Sequence, residues 1–431
     1  MLNTESTALR RTGPVGIVPP VRGGRAFAPG TAAANTPREA GARLQSGLRL
    51  AAPFVGGPLY RSQAVLHLIG PGRPNTVPRA VLAMALCWLP LAVLSGAQLQ
   101  SMDSFWTDFA AHARYLVLVP LLIVAEGICL PRMSALACNF RLAGLVVDAD
   151  HHRFIAATVS TRRLLNARWA EAAVVVLAYL AVAAVVFRLS AGAVPAWVLM
   201  PAGGPQAAPA LSPAGWWGVL VSLPVTLALL LGWVWRLGLW ARFLWLMARL
   251  DLRLVPVHPD GAAGLGFVGY SSRAFAVLAV ALGTLAAGTV ANGINAGATL
   301  SSYYHFTGAY VAGVVLLLNA PQLVFFRTLL QAWRRGTMEY SVLADRFGRE
   351  FERKWFSRTA QFGESVLEQQ DFSAATDLYQ VVDRVYSMRL LPVHTKSLLM
   401  QAGATLLPFL PVTLMAVPFD DVVSRLAGLL F

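Results

Sequence analysis

Lysine is almost missing from this chain: Lys354 and Lys396 are the two among 431 residues. Charge of either sign is scarce too. Asp, Glu, Lys and Arg make up 13% of the residues, against about 25% in soluble domains, and 56% are hydrophobic. With a mean hydropathy of +0.58, the composition excludes a water-soluble fold and makes the bilayer the natural solvent. Cysteine is limited to Cys87, Cys129 and Cys138, without the paired spacing of a disulfide scaffold or a zinc ribbon. No Ser-His-Asp order, nucleotide fingerprint, zinc-protease helix, transporter signature or pair of similar halves is present, so no cofactor is expected and the balance leans away from an enzyme. A cleavable signal is missing as well. Arg10-Arg11 lead into a Pro/Gly-rich stretch rather than an apolar core, and the first span is expected to do the targeting.

The charge that is present is arginine, and it gives a formal +14. Such an excess suits nucleic acid in general. Here the arginines lie between apolar runs, where topology selection and anionic lipid headgroups account for them, so nucleic acid is not an expected partner.

A helix needs roughly 20 mostly apolar residues to cross the hydrocarbon. The stretches approaching that length are Ala80–Leu99, Tyr115–Leu130, Ala170–Phe187, Trp216–Trp235, Ala274–Ile294, Gly308–Phe326 and Leu398–Val417, seven in all. The second is short and contains Glu126. Pro408, Pro411 and Pro418 interrupt the last, which reads as a kinked span with a re-entrant hairpin as the alternative. Basic residues crowd alternate connections: the approach to the first span, 131–169, 236–273 and 327–397. The intervening connections 100–114, 188–215 and 295–307 hold Arg114, Arg188 and no basic residue, respectively. Arginine retained on the inner side predicts an inside N-terminus and a bacterial-type inner (plasma) membrane location, with the C-terminus and its Asp420 and Asp421 outside.

The fold class that follows is an all-α, polytopic integral membrane bundle of about seven spans. Residues 1–78 read as a disordered basic arm, with an interfacial segment over Leu48–Ile69 as one option. Residues 79–330 form the six-helix bundle. Residues 331–397 form a cytoplasmic helical hairpin, in which Leu343, Phe347, Phe351 and Trp355 make one apolar stripe and a second helix starts near Asp371. Residues 398–431 hold the kinked or re-entrant helix. Small residues Ala279, Gly283, Ala287 and Gly288 place the fifth span in the bundle centre.

Candidate functional residues fall in three groups. Glu126, Asn292, Asn319 and Gln322 are polar groups within or ending apolar runs and would line a polar route for a small solute or ion; the alternatives are pairing of Glu126 with a nearby arginine and inter-helix hydrogen bonds for the amides. His258, Asp260, Gly261 and Gly264 form a turn-rich loop read as an inner gate, and equally as a simple closed turn. Asp150 and His151, together with His258 and Asp260, are weak metal candidates. Imidazole and carboxylate suit a transition ion, but no HxxxH or HxxE spacing supports one. Transport or channel function is the leading expectation. The competing one is a membrane anchor or sensor acting through 331–397, a membrane-embedded metal-dependent enzyme stands third, and the expected partners are the lipid bilayer, its anionic headgroups, a second copy or a cytoplasmic protein.

Overall fold

The computed structural model describes residues 53–54, 56–58, 75–97, 102–188, 195–200, 210–356 and 370–416. The expectations for most of the 1–78 arm, and for 417–431 with Asp420 and Asp421, lie outside these residues. The chain clusters into Met1–Gly47 and Leu48–Phe431, and every described residue belongs to the second unit.

Among the described residues the regular structure is helical apart from two isolated bridges, Val146 with Leu252 and Leu199 with Leu211. In chain order the main helices are α1 (Thr76–Gly96), α2 (Phe109–Leu142), α3 (His151–Leu165), α4 (Arg168–Arg188), α5 (Pro213–Ala248), α6 (Ala276–Asn295), α7 (Tyr304–Asn319), α8 (Phe326–Trp355), α9 (Gln370–Tyr386), α10 (Thr395–Leu406) and α11 (Phe409–Ala416). Among the described residues six helical runs are long and apolar enough to cross a membrane. The number is seven if α10 and α11, bent by 46° at Leu407–Pro408, count as one. The protein is therefore a polytopic α-helical membrane protein.

The second span is longer than its apolar run. Helix α2 has 34 residues, about 51 Å at 1.5 Å per residue, and so exceeds a hydrocarbon core of about 30 Å. Arg114 and Pro131 end the apolar run but not the helix. Asp108 caps its start by accepting from Ala111 N, and Pro131 is absorbed within it.

Helix α6 occupies the centre, with its apolar window 56% buried against 22% for α1 and for α4. Its small residues are the reason. A Cβ at Gly283 would run into the Thr405 carbonyl of α10, and one at Gly288 would lie 2.7 Å from the Ala113 methyl of α2. Backbones meet on both sides of the helix because no side chain holds them apart.

The arginine-bearing connections meet at one end of the bundle. Arg253 N donates to Leu145 O, Asp251 N to the Asp150 carboxylate, and Arg335 Nη2 to Leu254 O. We call this the arginine-rich end. Beyond it α8 and α9 pack along each other through Phe351, Trp355 and Phe372, the Lys354–Asp371 ion pair and a 2.7 Å contact between the hydroxyls of Ser341 and Tyr386. The stripe read from the sequence drifts. A four-residue step turns about 400°, so Leu343 lies about 120° round from Trp355 and is exposed while Trp355 is buried.

A candidate polar layer at the arginine-rich end

Glu126 sits between two arginines. Arg79, in the first turn of α1, donates to Oε2 at 2.7 Å, and Arg236 of α5 donates to Oε1 at 2.7 Å. All three residues are buried. The Arg236 guanidinium also lies 5.4 Å from the centre of the Trp233 ring. Two guanidinium groups against one carboxylate give this cluster a formal charge of +1. A piece of the chain ahead of α1 closes over it. Phe54 is buried, with its N–H on Ser134 Oγ and its ring edge-on to Trp240 at 5.5 Å. Gly57 has a φ of +135°, and a Cβ there would stand 2.8 Å from Arg236 Nη2, so only glycine passes the guanidinium at this point.

The second part of the layer is uncharged. Ser272 Oγ donates to Asn319 Oδ1 at 2.6 Å, and Gln322 Nε2 donates to Ser272 Oγ at 2.8 Å and to Asn319 Oδ1 at 3.2 Å. Asn319 Nδ2 reaches Gln401 Oε1 at 2.5 Å, and Gln401 Nε2 returns to Ser272 O at 2.8 Å. All four side chains are buried, and Gln322 Oε1 has no donor. Two of the contributing elements are irregular here. Ser272 lies in the short turn Tyr270–Ala274, separated from α6 at Phe275. Asn319 and Gln322 flank Pro321, where α7 tightens into the 3₁₀ turn Ala320–Phe325, and Gln401 lies on the helix that bends at Leu407–Pro408. Pro321 removes a backbone donor, and the amides supply hydrogen bonds at that level. The charged and uncharged parts adjoin, since Cys129, one turn from Glu126, donates to Ala274 O at 3.0 Å.

The loop 251–269 leads directly into the turn that carries Ser272. The Asp260 carboxylate accepts from the N–H groups of Ala262, Gly264 and Gly266 at 2.8, 3.1 and 2.7 Å, with His258 Nδ1 at 2.9 Å. Burial works against its charge. These four donors outweigh that and hold the carboxyl below its usual 3.8. Gly261 and Gly264 have φ of +64° and +95°, which the tight wrap round Asp260 requires. Arg389 fastens the loop to the segment between α9 and α10: its N–H donates to Gly261 O, its Nη2 to Asp260 O, and its Nη1 lies 2.9 Å from His394 Nδ1. Burial, and then the Arg389 charge, push the His394 imidazole below its usual 6.5.

The remaining sequence candidates fall elsewhere. Asn292 is at the opposite end, with Nδ2 on Asp108 Oδ1 at 2.8 Å and Oδ1 accepting from Ala110 N; Asp108 Oδ2 accepts from Trp197 Nε1 at 2.9 Å. Asp150 is held by Arg153 and by Asp251 N. His151 starts α3 beside it, and among the described residues no three His, Cys, Asp or Glu side chains converge as a metal site would need. The structure thus brings Asn319 to Gln322, and His258 to Asp260, Gly261 and Gly264. Glu126 and Asn292 stay in separate clusters. Sequence reasoning missed Arg79, Arg236, Ser272, Gln401, Arg389 and Asp108. The Phe54-Val-Gly-Gly stretch was a usable signal for the docked segment, because a glycine pair after an aromatic ring permits close packing as well as helix breaking. No protein-family model, curated protein or solved structure matches the chain.

Proposed function

We propose that the protein moves a small solute rich in N–H donors across a bacterial-type inner membrane, along α6 between the Asp108–Asn292 cluster and the Ser272–Asn319–Gln322–Gln401 network. The observation that carries this reading is Gln322 Oε1, a buried amide acceptor without a donor, at the level where α7 tightens into a 3₁₀ turn and a separate short turn precedes α6. Irregular backbone and polar side chains at membrane depth are how helical transporters build solute sites. At the other end Asp108 is buried and its donors among the described residues, Ala111 N, Trp197 Nε1 and Asn292 Nδ2, are neutral, which leaves its charge to attract a cationic or strongly donating solute. In this reading the arginine-rich end is cytoplasmic, the loop around Asp260 is the inner gate, and Glu126 serves the framework, because both its oxygens are already taken by guanidinium groups.

Stopped-flow shrinking and reswelling of vesicles holding the purified chain tests it, with methylammonium, urea and formate as probes. Methylammonium or urea is expected to enter faster than into protein-free vesicles. Gln322→Leu, which removes acceptor and donor together, is expected to return the rate to the protein-free level. Entry of formate alone, or no acceleration for any probe, overturns the reading.

A second reading is favoured by Arg389. A sensor would act through α8 and α9, residues within the 331–397 cytoplasmic piece, and Arg389 joins the end of that pair to the Asp260 loop three residues after α9 ends. In that case Phe351→Ala and Trp355→Ala abolish function while Gln322→Leu leaves it intact.

A further inference from the structure

Two turns of α5 bury four side-chain N–H groups that have no acceptor: Trp235 Nε1, Arg236 Nε, Trp240 Nε1 and Arg242 Nη1. At 100° per residue they divide into two strips. Arg236 and Trp240 face the interior, where Glu126, Phe54 and Gly57 fill the space. Trp235 and Arg242 share a strip that faces α3 and α4. There Arg242 Nη2 donates to Ser160 Oγ of α3 at 2.8 Å, and the Trp235 indole stands edge-on to Trp169 of α4 with centroids 5.3 Å apart. Trp169 is 58% exposed, so this strip borders the outside of the bundle, with its two donors covered by the side chains around them, and we refer to the α3–α4–α5 junction there as the groove.

The chemistry of the groove is one-sided. It offers a guanidinium N–H, an indole N–H and a hydroxyl, with Arg163 one turn on from Ser160. The acid on α4, Glu171, stands about 200° round that helix from Trp169. Leaving a buried donor unsatisfied costs about 1–3 kcal/mol, and more for a charged one, so the complement is an anion with several acceptors. Trp235 and Arg242 are seven residues apart, about 11 Å along the axis. One free phosphate has all its oxygens in a single tetrahedron. A glycerophospholipid spreads phosphate and ester oxygens over such a length, and its chains would lie against the exposed Val176, Leu177 and Leu180 of α4 and Val234 of α5.

We propose that this groove binds one anionic phospholipid, with Arg242 and Ser160 on the phosphate and the Trp235 N–H on a glycerol ester carbonyl. The aromatic and arginine pattern of α5 sets the groove at the headgroup level of the arginine-rich end. The full chain in neutral detergent is titrated with phosphatidylglycerol, phosphatidylcholine or inorganic phosphate, and retained lipid is counted by native mass spectrometry alongside the thermal midpoint. Phosphatidylglycerol is expected to be retained and to raise the midpoint, while the other two leave it unchanged. Arg242→Gln is expected to weaken retention about tenfold, as loss of a charge-assisted bond does. Trp235→Phe keeps the ring against Trp169 and drops only the donor, and a smaller loss of about threefold is expected, as for one neutral hydrogen bond. Equal effects of phosphatidylglycerol and phosphatidylcholine, reproduction of the shift by phosphate alone, or retention unchanged in both variants would each overturn the proposal.

Discussion

Glu126→Ala removes the buried carboxylate that Arg79 and Arg236 both hold. Breaking a buried pair from one side typically destabilises by roughly 3–5 kcal/mol. Denaturant unfolding in detergent should show a loss of that size, and a second change, Arg236→Met, should recover much of it; full stability in the single variant would contradict a framework role for the carboxylate. A pH dependence belongs at this scale too. His394 is held below 6.5 in the folded chain, so the unfolded chain binds its proton first. Stability is therefore present above 6.5 and is lost as pH falls through the lower folded value, while Asp260 adds a further loss that sets in as pH falls through 3.8 and is complete at its lower folded value. The thermal midpoint should drop on acidification below about 6.5, and His394→Asn should flatten that first part of the profile. Glu126 stood out in the sequence because an acid in an apolar run is rare. Its partners did not, since they lie 47 and 110 positions away and no periodicity links such distances.

At the scale of elements, apolar runs locate the helices well and their ends poorly. Hydropathy cannot tell where a helix stops once it leaves the hydrocarbon, and so α2 runs on past Pro131. The glycine spacing of α6 carried its packing role directly. Gly283→Ala should force α6 and α10 apart, because the new methyl meets backbone at Thr405 rather than a side chain that can turn away. A destabilisation of about 1–3 kcal/mol is expected, read as a lower thermal midpoint; Gly313→Ala, with open space around its position, should leave the midpoint within error. The polar network of Ser272 and Gln401 was hidden for a different reason. Serine and glutamine within apolar helices are ordinary residues, and only the meeting of three separate elements turns them into one group.

For the whole molecule, arginine distribution carried most of the information. The connections it singled out do touch one another, through Leu145 with Arg253 and Leu254 with Arg335. All three native cysteines are buried, so introduced ones can be labelled over a low background. Cysteines replacing the exposed Arg163 and Arg346 should react with an impermeant thiol reagent from the same side of sealed membranes, and one replacing Thr299 or Ser301 from the other. Labelling of positions 163 and 346 from opposite sides would refute the common end.

Helix α2 joins the two ends in a single rod. Near its outset Asp108 grips Asn292, and about halfway along Glu126 grips the arginines, with no loop between them to absorb a displacement. A push on either extremity therefore has one shaft to act along, and the wider turn Ala113–Leu118 lies between the two grips.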